Sequence, residues 1–351
     1  MDSQGLGDVV QSLPLLRAVC SWAERRCPVQ ALFATEDHYE LIREEGLNLA
    51  PFFVSSVPRR PLSVLRVWSE LVGRPDLIVC APEMSAAKLV LLKYATGARY
   101  AIGEASPPYA RFLTASVGAS WTRPWNETQN AIAAALDIVT PLEPPSINLT
   151  QQEIDWADST LARAFGETPI CLGIQCASVV TQKCWPAESF GQVVEKIRHC
   201  YPQLCVISFG SAVERPSADR ARWVAKNIRW LEGTGKWSIR QTLGMLSRCD
   251  IFLSGDTGLM HMAAAVGTPT VSVFGPTSAM RRAPRHNGGA TVCPTTTCHP
   301  CFQGAWTPCN CIRSITPAHV ITAVDQCLTE LVSAKFNRRK KNVETVGVGK
   351  F

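Results

Sequence analysis

The segment Leu253–Ala265, with the sequence LSGDTGLMHMAAA, joins an apolar run, a glycine turn and an alanine-rich stretch. This order predicts a buried strand, a tight turn and a helix. Because the first turn of a helix has N–H groups without intrahelical acceptors and carries the positive end of the helix dipole, it attracts anions. We therefore predict a phosphate site at the N–H groups of Thr257, Gly258 and Leu259. An ordinary helix start with Asp256 as the cap is the alternative.

Two further loops carry charged residues that could act on the same ligand. Lys183 lies in the loop 181–186, after a predicted strand and before a predicted helix. Its compact ammonium could reach a phosphate there, although a plain surface lysine is the alternative. Asp8 is the only carboxylate in residues 5–23 and lies at the start of a predicted helix. It could accept a proton from an incoming hydroxyl as a general base, or it could cap that helix.

A third group of chemically active side chains is the thiol cluster Cys293, Cys298, Cys301, Cys309 and Cys311. Four thiols that include a Cys-x2-Cys pair could hold zinc or iron. The final Cys-x-Cys spacing is tight for a zinc knuckle, which favours reduced thiols that order a loop. We therefore predict that the protein has no metal and no cofactor.

Short apolar, β-branched runs alternate with segments of helical period, which predicts βαβ units and parallel sheets. In the first half, the predicted strands are Gln30–Ala34, Leu77–Cys80 and Arg99–Ile102, and the predicted helices are Leu13–Glu24, Ser85–Tyr94 and Glu127–Leu136. In the second half, the predicted strands are Ile170–Gln175, Leu204–Phe209, Ile228–Leu231, Asp250–Ser254 and Thr270–Phe274, and the predicted helices are Pro186–Ile197, Glu214–Lys226, Ser238–Ser247 and Leu259–Val266. Because ligands of such sheets bind beyond the carboxyl ends of the strands, the loops of Lys183 and Asp256 are well placed to meet one.

The length of 351 residues and the apolar fraction of 46% predict two domains, each with its own core. Three prolines in the stretch 137–146 indicate a linker near residues 138–150. We predict one α/β domain at 1–140, a second at 141–332 and a basic, disordered tail at 333–351. The tail could instead form a weak tether to anionic lipid head groups.

The charge distribution and the hydropathy exclude several classes of protein. The net charge is +6 at pH 7, and the tail holds six basic residues against one acidic residue. A nearly neutral body argues against nucleic-acid binding, which needs a basic face on the folded part. Apolar runs stay below the roughly 18 residues of a membrane span, and the first residues lack the features of a signal peptide. We therefore expect neither an integral membrane protein nor a secreted one.

Three sequence motifs carry a resemblance to a known family. They are Gly7-Asp-Val-x-x-Ser-Leu-Pro-Leu-Leu, Lys183-x-Trp-Pro-x-x-x-Phe, and Asp256-Thr-Gly-Leu-Met-His-x-Ala-Ala-Ala-x-Gly-Thr-Pro followed by Phe274-Gly-Pro-Thr. Up to about Val332 the chain resembles glycosyltransferase family 9, the ADP-heptose:lipopolysaccharide heptosyltransferases. The resemblance implies an α/β, GT-B fold with two Rossmann-like domains facing across a cleft, an acceptor-side domain at 1–140 and a nucleotide-sugar-binding domain at 141–332. It also implies cytoplasmic placement and metal-independent, inverting transfer of a heptose from ADP-heptose. We expect the acceptor to be the lipopolysaccharide inner core, and we expect a peripheral contact at the inner face of the inner membrane.

The resemblance also assigns roles to single residues. Asp8 matches the proposed catalytic base of the family, and Lys183 matches the lysine that contacts the donor phosphates. The turn Asp256–Leu259 matches the diphosphate loop, with His261 behind it. Glu214 matches, more loosely, an acidic residue that contacts the donor.

Two kinds of residue have less specific matches. Trp237 lies where the family often has another residue beside the nucleotide, and it could stack on adenine or belong to the core. Arginines of the first domain would suit an acceptor rich in carboxylate and phosphate. We predict that Arg59 and Arg60 bind it, with Arg66, Arg111 and Arg123 as further candidates, and a solvated surface arginine is the alternative for each of them.

The start of the chain departs from the family pattern. A complete strand precedes the Gly-Asp loop in the family, whereas only Met1–Gln4 precede Gly5 here. We therefore expect the first strand of the N-terminal domain to be missing. Two other functions stay open, namely a GT-B sugar-nucleotide enzyme with a different acceptor, such as a protein O-heptosyltransferase, and a catalytically inactive sugar-nucleotide-binding homologue.

Overall fold

The computed structural model describes residues 5–53, 75–82, 84–166, 170–285, 288–295 and 310–346. The chain divides into two compact units. Unit 1 comprises Met1–Asn148 and Met280–Arg282, and unit 2 comprises Leu149–Ala279 and Ala283–Phe351. The division after Asn148 lies within the stretch 138–150, eight residues beyond the predicted boundary at residue 140.

Unit 1 is an α/β unit with parallel strands. Its helices are α1 (Leu6–Ala23), α2 (Glu36–Glu40), α3 (Ala86–Thr96) and α4 (Trp125–Ala134), and its strands are β1 (Gln30–Phe33), β2 (Ala50–Phe53), β3 (Leu77–Val79), β4 (Tyr100–Glu104) and β5 (Ala115–Val117). The described strands form two sheets, one with β1 beside β2 and one with β4 between β3 and β5. Leu15 of α1, Ile102 of β4 and Ile132 of α4 share one buried cluster, which fixes α1 against the second sheet.

Unit 2 is also built from alternating strands and helices. Its helices are α5 (Gln151–Phe165), α6 (Ala187–Cys200), α7 (Arg215–Val224), α8 (Ile239–Leu246), α9 (Gly258–Ala265), α10 (Ala279–Arg282, whose last three residues belong to unit 1) and α11 (Pro317–Val346). Its strands are β6 (Ile170–Gln175), β7 (Leu204–Ser208), β8 (Arg229–Glu232), β9 (Ile251–Gly255), β10 (Thr270–Val273) and β11 (Ala290–Val292).

The six strands of unit 2 form one parallel sheet in the order β11-β10-β9-β6-β7-β8. Because helices cover both faces of such a sheet, β6 and β9 are almost entirely buried and have nearly continuous apolar sequences. From β6 the chain adds β7 and β8 on one side, and then β9, β10 and β11 on the other. The order of the strands therefore reverses between β6 and β9, which is where an open α/β sheet forms a ligand crevice.

The core of unit 2 fixes the loop that follows β6. Trp185 and Phe190 pack edge to face with their ring centroids 5.0 Å apart. The indole N–H of Trp185 donates to the carbonyl of Ile315 at 2.9 Å. Since Lys183 lies two residues before this buried tryptophan, its backbone is held at the carboxyl end of the sheet.

Several elements differ from those predicted. Helix α1 begins at Leu6, seven residues before the predicted start at Leu13, because Pro14 is tolerated inside it. Strands β2, β5 and β11 and helices α5 and α11 were not predicted. Helix α11 runs to Val346, so the backbone of residues 333–346 is helical where a disordered tail was expected. Lysine and arginine have good helix propensity and can extend a helix that has already begun.

Two expectations fall outside the described residues. Residues 1–4 are not described, so the missing first strand stays a prediction. Arg59, Arg60 and Arg66 also lie outside the described residues. Among the helices that the structure describes, none combines the length and the apolar character needed to cross a membrane.

Candidate active site

Lys183, Asp256 and Thr277 form a buried polar cluster in unit 2. Lys183 ends a short 3-10 helix after β6, and its Nζ donates to Asp256 Oδ2 at 2.7 Å. The Thr277 hydroxyl donates to the same oxygen at 2.8 Å. The side chains of Lys183 and Asp256 are 15% and 4% exposed. A carboxylate in the protein interior therefore holds the ammonium in one place, as a buried charge requires.

The turn after β9 presents the N-terminus of α9. Thr257 is the N-cap residue, so Asp256 does not have the capping role considered as the alternative. The Thr257 hydroxyl does not cap the helix but donates to Gln175 Oε1 at 2.6 Å. The first-turn N–H groups of Gly258 and Leu259 thus keep the orientation that suits an anion. His261, one turn further along α9, is buried.

Gln175 at the end of β6 links this turn to Glu214. Its Nε2 donates to Glu214 Oε1 at 2.9 Å, and Glu214 Oε2 accepts from the Ser211 N–H at 2.6 Å and the Ser211 hydroxyl at 2.9 Å. Hydrogen bonds therefore run from Thr257 through Gln175 to Ser211 across the ends of three neighbouring strands. The sequence analysis did not single out Gln175. The usable signal was that a polar residue ends an otherwise apolar strand, β6.

Trp237 lies in an aromatic cluster of unit 2. Its ring packs edge to face on Phe209 and Trp156, with centroid distances of 5.4 and 6.0 Å. It also covers Gly233, where a Cβ atom would lie 2.2 Å from the indole ring. The half-buried indole thus contributes to the packing of unit 2, and its stacking on adenine stays a prediction.

Asp8 lies in the first turn of α1 in unit 1. The N-cap residue of α1 is Gly5, so Asp8 does not cap the helix itself; as the third helical residue, its Oδ2 accepts the Gly5 N–H at 2.9 Å, which stabilises the start of the helix. Its Oδ1 lies 3.6 Å from Nη1 of Arg282. This structural contact and the proposed base role are compatible, because they use different oxygens of one carboxylate.

Arg281 and Arg282 belong to unit 1, although they come from the second half of the sequence. Arg281 makes an ion pair with Glu104 through one nitrogen, with Nη2 at 2.8 Å from Oε2 and 3.1 Å from Oε1. Both guanidinium groups lie over the ring of Trp125, at 5.7 and 5.6 Å from its centroid. Sequence reasoning missed these two arginines, because no local pattern pairs residues that are 177 positions apart.

Of the remaining candidates, Arg123 lies beside Arg281, whose Nη1 donates to the Arg123 carbonyl at 3.4 Å, and three cysteines are not described. The guanidinium of Arg111 lies over Phe112, and Arg123 donates to the carbonyl of Gly118 at 2.9 Å. Cys298, Cys301 and Cys309 lie outside the described residues. Cys311 is buried, and partial burial raises the pKa of the Cys293 thiol. The prediction that the thiol cluster binds no metal therefore stays a prediction.

Comparisons with known proteins agree with the resemblance. A sequence model of glycosyltransferase family 9 (heptosyltransferase) matches residues 65–307. Lipooligosaccharide heptosyltransferase 2 of Haemophilus influenzae is 29% identical over 116 residues, which cover 32% of this chain and 33% of that protein. Lipopolysaccharide heptosyltransferase 1 of Pseudomonas aeruginosa is 27% identical over 308 residues, which cover 79% of this chain and 78% of that protein. The chain spans only 33% to 49% of the length of the first five curated relatives.

The fold is shared with a solved structure. Escherichia coli ADP-heptose lipopolysaccharide heptosyltransferase II superposes with a TM-score of 0.68 at 16% identity, over 93% of this chain and 97% of that chain. The predicted α/β, GT-B fold class is thereby confirmed. The matched residues 65–307 include Lys183, Glu214 and the turn Asp256–Leu259. Asp8 precedes them, so its match rests on the motif at residues 7–16.

Proposed function

Since the chain belongs to glycosyltransferase family 9, we propose that it transfers a heptose from ADP-heptose to a lipopolysaccharide inner-core acceptor with inversion. The observation that carries this proposal is the cluster of Lys183, Asp256 and Thr277 beside the N-terminus of α9. The family supports heptosyl transfer, and the E. coli structure is described as that of an ADP-heptose lipopolysaccharide heptosyltransferase.

In this proposal the donor diphosphate binds at the N-terminus of α9. The N–H groups of Gly258 and Leu259 and the ammonium of Lys183 donate to its oxygens, and their charge stabilises the departing ADP. An ammonium has three hydrogens, so Lys183 can contact a phosphate while it keeps its bond to Asp256. Because Asp256 and Thr277 fix the ammonium beforehand, little reorganisation accompanies the reaction.

Asp8 is the general base of the proposed step. Its Oδ1 takes the proton of the acceptor hydroxyl, whose oxygen then bonds to the anomeric carbon of the heptose. The bond from that carbon to the ADP oxygen breaks, and ADP leaves with the electron pair. Attack from the face opposite the leaving group inverts the anomeric carbon.

The other proposed contacts concern specificity. Glu214 and Trp237 are assigned to the nucleoside end of the donor, with Gln175 holding the Glu214 carboxylate. Arg59 and Arg60 are assigned to anionic groups of the acceptor. We further propose that the protein works in the cytoplasm and meets its acceptor at the inner face of the inner membrane.

The test is the release of ADP by the purified full chain. ADP-heptose and a lipopolysaccharide core acceptor should together give ADP and a heptosylated acceptor detectable by mass spectrometry, and UDP-glucose should not replace the donor. Tight ADP binding without turnover on any acceptor would instead identify an inactive homologue. Heptose transfer to a protein but not to the lipopolysaccharide core would identify the alternative acceptor class.

A further inference from the structure

We propose, on the premise that Asp8 is the base of the proposed function, that Arg282 is its positioning residue. Arg282 holds the carboxylate so that Oδ1 can receive the acceptor proton. The neighbouring Arg281 and Glu104 anchor the turn that carries Arg282. This role deepens the proposed function, because it adds a residue from the second half of the chain to the base in the first half.

The two oxygens of Asp8 are held unequally. The Gly5 N–H donates to Oδ2 at 2.9 Å, but one hydrogen bond leaves the carboxylate free to turn about that contact. The Arg282 Nη1 lies 3.6 Å from Oδ1, which is beyond a direct hydrogen bond but within range of strong charge attraction. A carboxylate oxygen has two lone pairs, so Arg282 can orient Oδ1 while that oxygen can still accept a proton.

The surroundings of Arg282 favour one position of its guanidinium. The side chain is only 20% exposed, and its guanidinium lies over Trp125 at 5.6 Å from the ring centroid. Burial lowers the pKa of Arg282, and the nearby Asp8 carboxylate partly opposes this effect. An arginine stays protonated despite such burial, so a fixed positive charge faces Asp8.

Arg281 anchors the turn that brings Arg282 to Asp8. Its guanidinium binds both oxygens of Glu104 and donates to the carbonyl of Ser120 at 2.7 Å. The side chains of Arg281 and Glu104 are 4% and 7% exposed. Because one guanidinium nitrogen is held by the carboxylate and the other by the Ser120 carbonyl, Arg281 is fixed in place, and it helps determine where the adjacent residue 282 lies in unit 1.

The experiment compares Arg282→Gln, Arg282→Lys, Asp8→Asn and the double variant Asp8→Asn/Arg282→Gln in the acceptor-dependent assay. We expect Arg282→Gln to lower kcat by roughly 10²-fold, the usual effect of a misplaced catalytic group, with KM for both substrates nearly unchanged. Arg282→Lys should recover most of kcat, because it restores the charge. The double variant should be no slower than Asp8→Asn, because Arg282 acts through Asp8. Arg43→Gln is the matched control, since Arg43 is an exposed arginine of the same unit.

Several outcomes would overturn the inference. If the fold loss of kcat in the double variant equals the product of the losses in the two single variants, Arg282 acts independently of Asp8. A raised acceptor KM at unchanged kcat would make Arg282 an acceptor-binding residue. Equal losses of kcat in Arg282→Gln and Arg282→Lys, together with a lowered Tm, would make its role structural. If Asp8→Asn loses turnover while Arg282→Gln does not, only this inference fails. If Asp8→Asn keeps full turnover, or if the unaltered chain is inactive, the proposed function fails as well.

Discussion

Each unit of this protein holds an aspartate beside a cation, at different distances. In unit 2, Lys183 Nζ lies 2.7 Å from Asp256 Oδ2, an oxygen that also accepts from Thr277. In unit 1, Arg282 Nη1 lies 3.6 Å from Asp8 Oδ1, and the Asp8 side chain is 26% exposed. The close pair fixes a cation where a phosphate is expected to bind. The looser pair leaves a carboxylate oxygen where a proton is expected to be taken up. In unit 2 the aspartate therefore positions the lysine, whereas in unit 1 the arginine positions the aspartate.

The largest expected effect is on the looser pair. Asp8→Asn should lower turnover by about 10²–10⁴-fold, the usual contribution of a positioned acid or base. The carbonyl oxygen of asparagine can still accept the Gly5 N–H, so Tm should hardly change, and calorimetry should give an unchanged affinity for ADP. Unchanged turnover at unchanged Tm would mean that Asp8 only supports the start of α1, and the contrast between the pairs would disappear.

The second prediction concerns the anchor of the looser pair. Glu104→Ala leaves the buried guanidinium of Arg281 without its carboxylate, which should cost about 3–5 kcal/mol of unfolding free energy. Asp158→Ala is the control, because its ion pair with Arg248 is 56% exposed on the aspartate side and such pairs contribute about 0–1 kcal/mol. Denaturant titration of both variants measures the difference, and equal small losses would contradict the anchoring role.

The third prediction tests the close pair. Lys183→Ala should weaken ADP binding by about 1–3 kcal/mol, as expected for hydrogen bonds to charged groups. Lys226→Ala should leave the affinity unchanged, since Lys226 is an exposed lysine of the same unit. Isothermal titration calorimetry with ADP decides the matter, and an unchanged affinity in Lys183→Ala would remove this residue from the donor site.

The smallest expected effect concerns the link between the donor loops. Gln175→Met keeps the volume but breaks the hydrogen bonds to Thr257 and Glu214. The affinity for ADP should fall by about 0.5–1.5 kcal/mol, because Gln175 positions the two loops and does not itself contact the donor. A loss as large as that of Lys183→Ala would show that Gln175 contacts the donor directly, and no loss would show that the two loops bind independently.

The second half of the chain was more predictable than the first. Strand β6 has the predicted bounds Ile170–Gln175, and the boundaries of α8, β9 and α9 differ from prediction by one residue. These elements are buried runs separated by clear turns. Strands β2 and β5 have only four and three residues and no buried face, so no periodic signal marked them. Helix α5 was missed although its capping box of Thr150 and Glu153 was a usable signal.

The sequence by itself determined the turn after β9, because a strand, a turn and a helix start are encoded within a few consecutive residues. It offered Asp256 only as part of an anion site or as a helix cap, because the contact of Asp256 with Lys183 spans 73 positions. Only the tertiary structure placed Arg281 on Glu104 and Arg282 beside Asp8. Local periodicity and turn chemistry act over roughly a dozen residues. Ion pairs between distant residues depend on the path of the whole chain, so they follow from the packed fold alone.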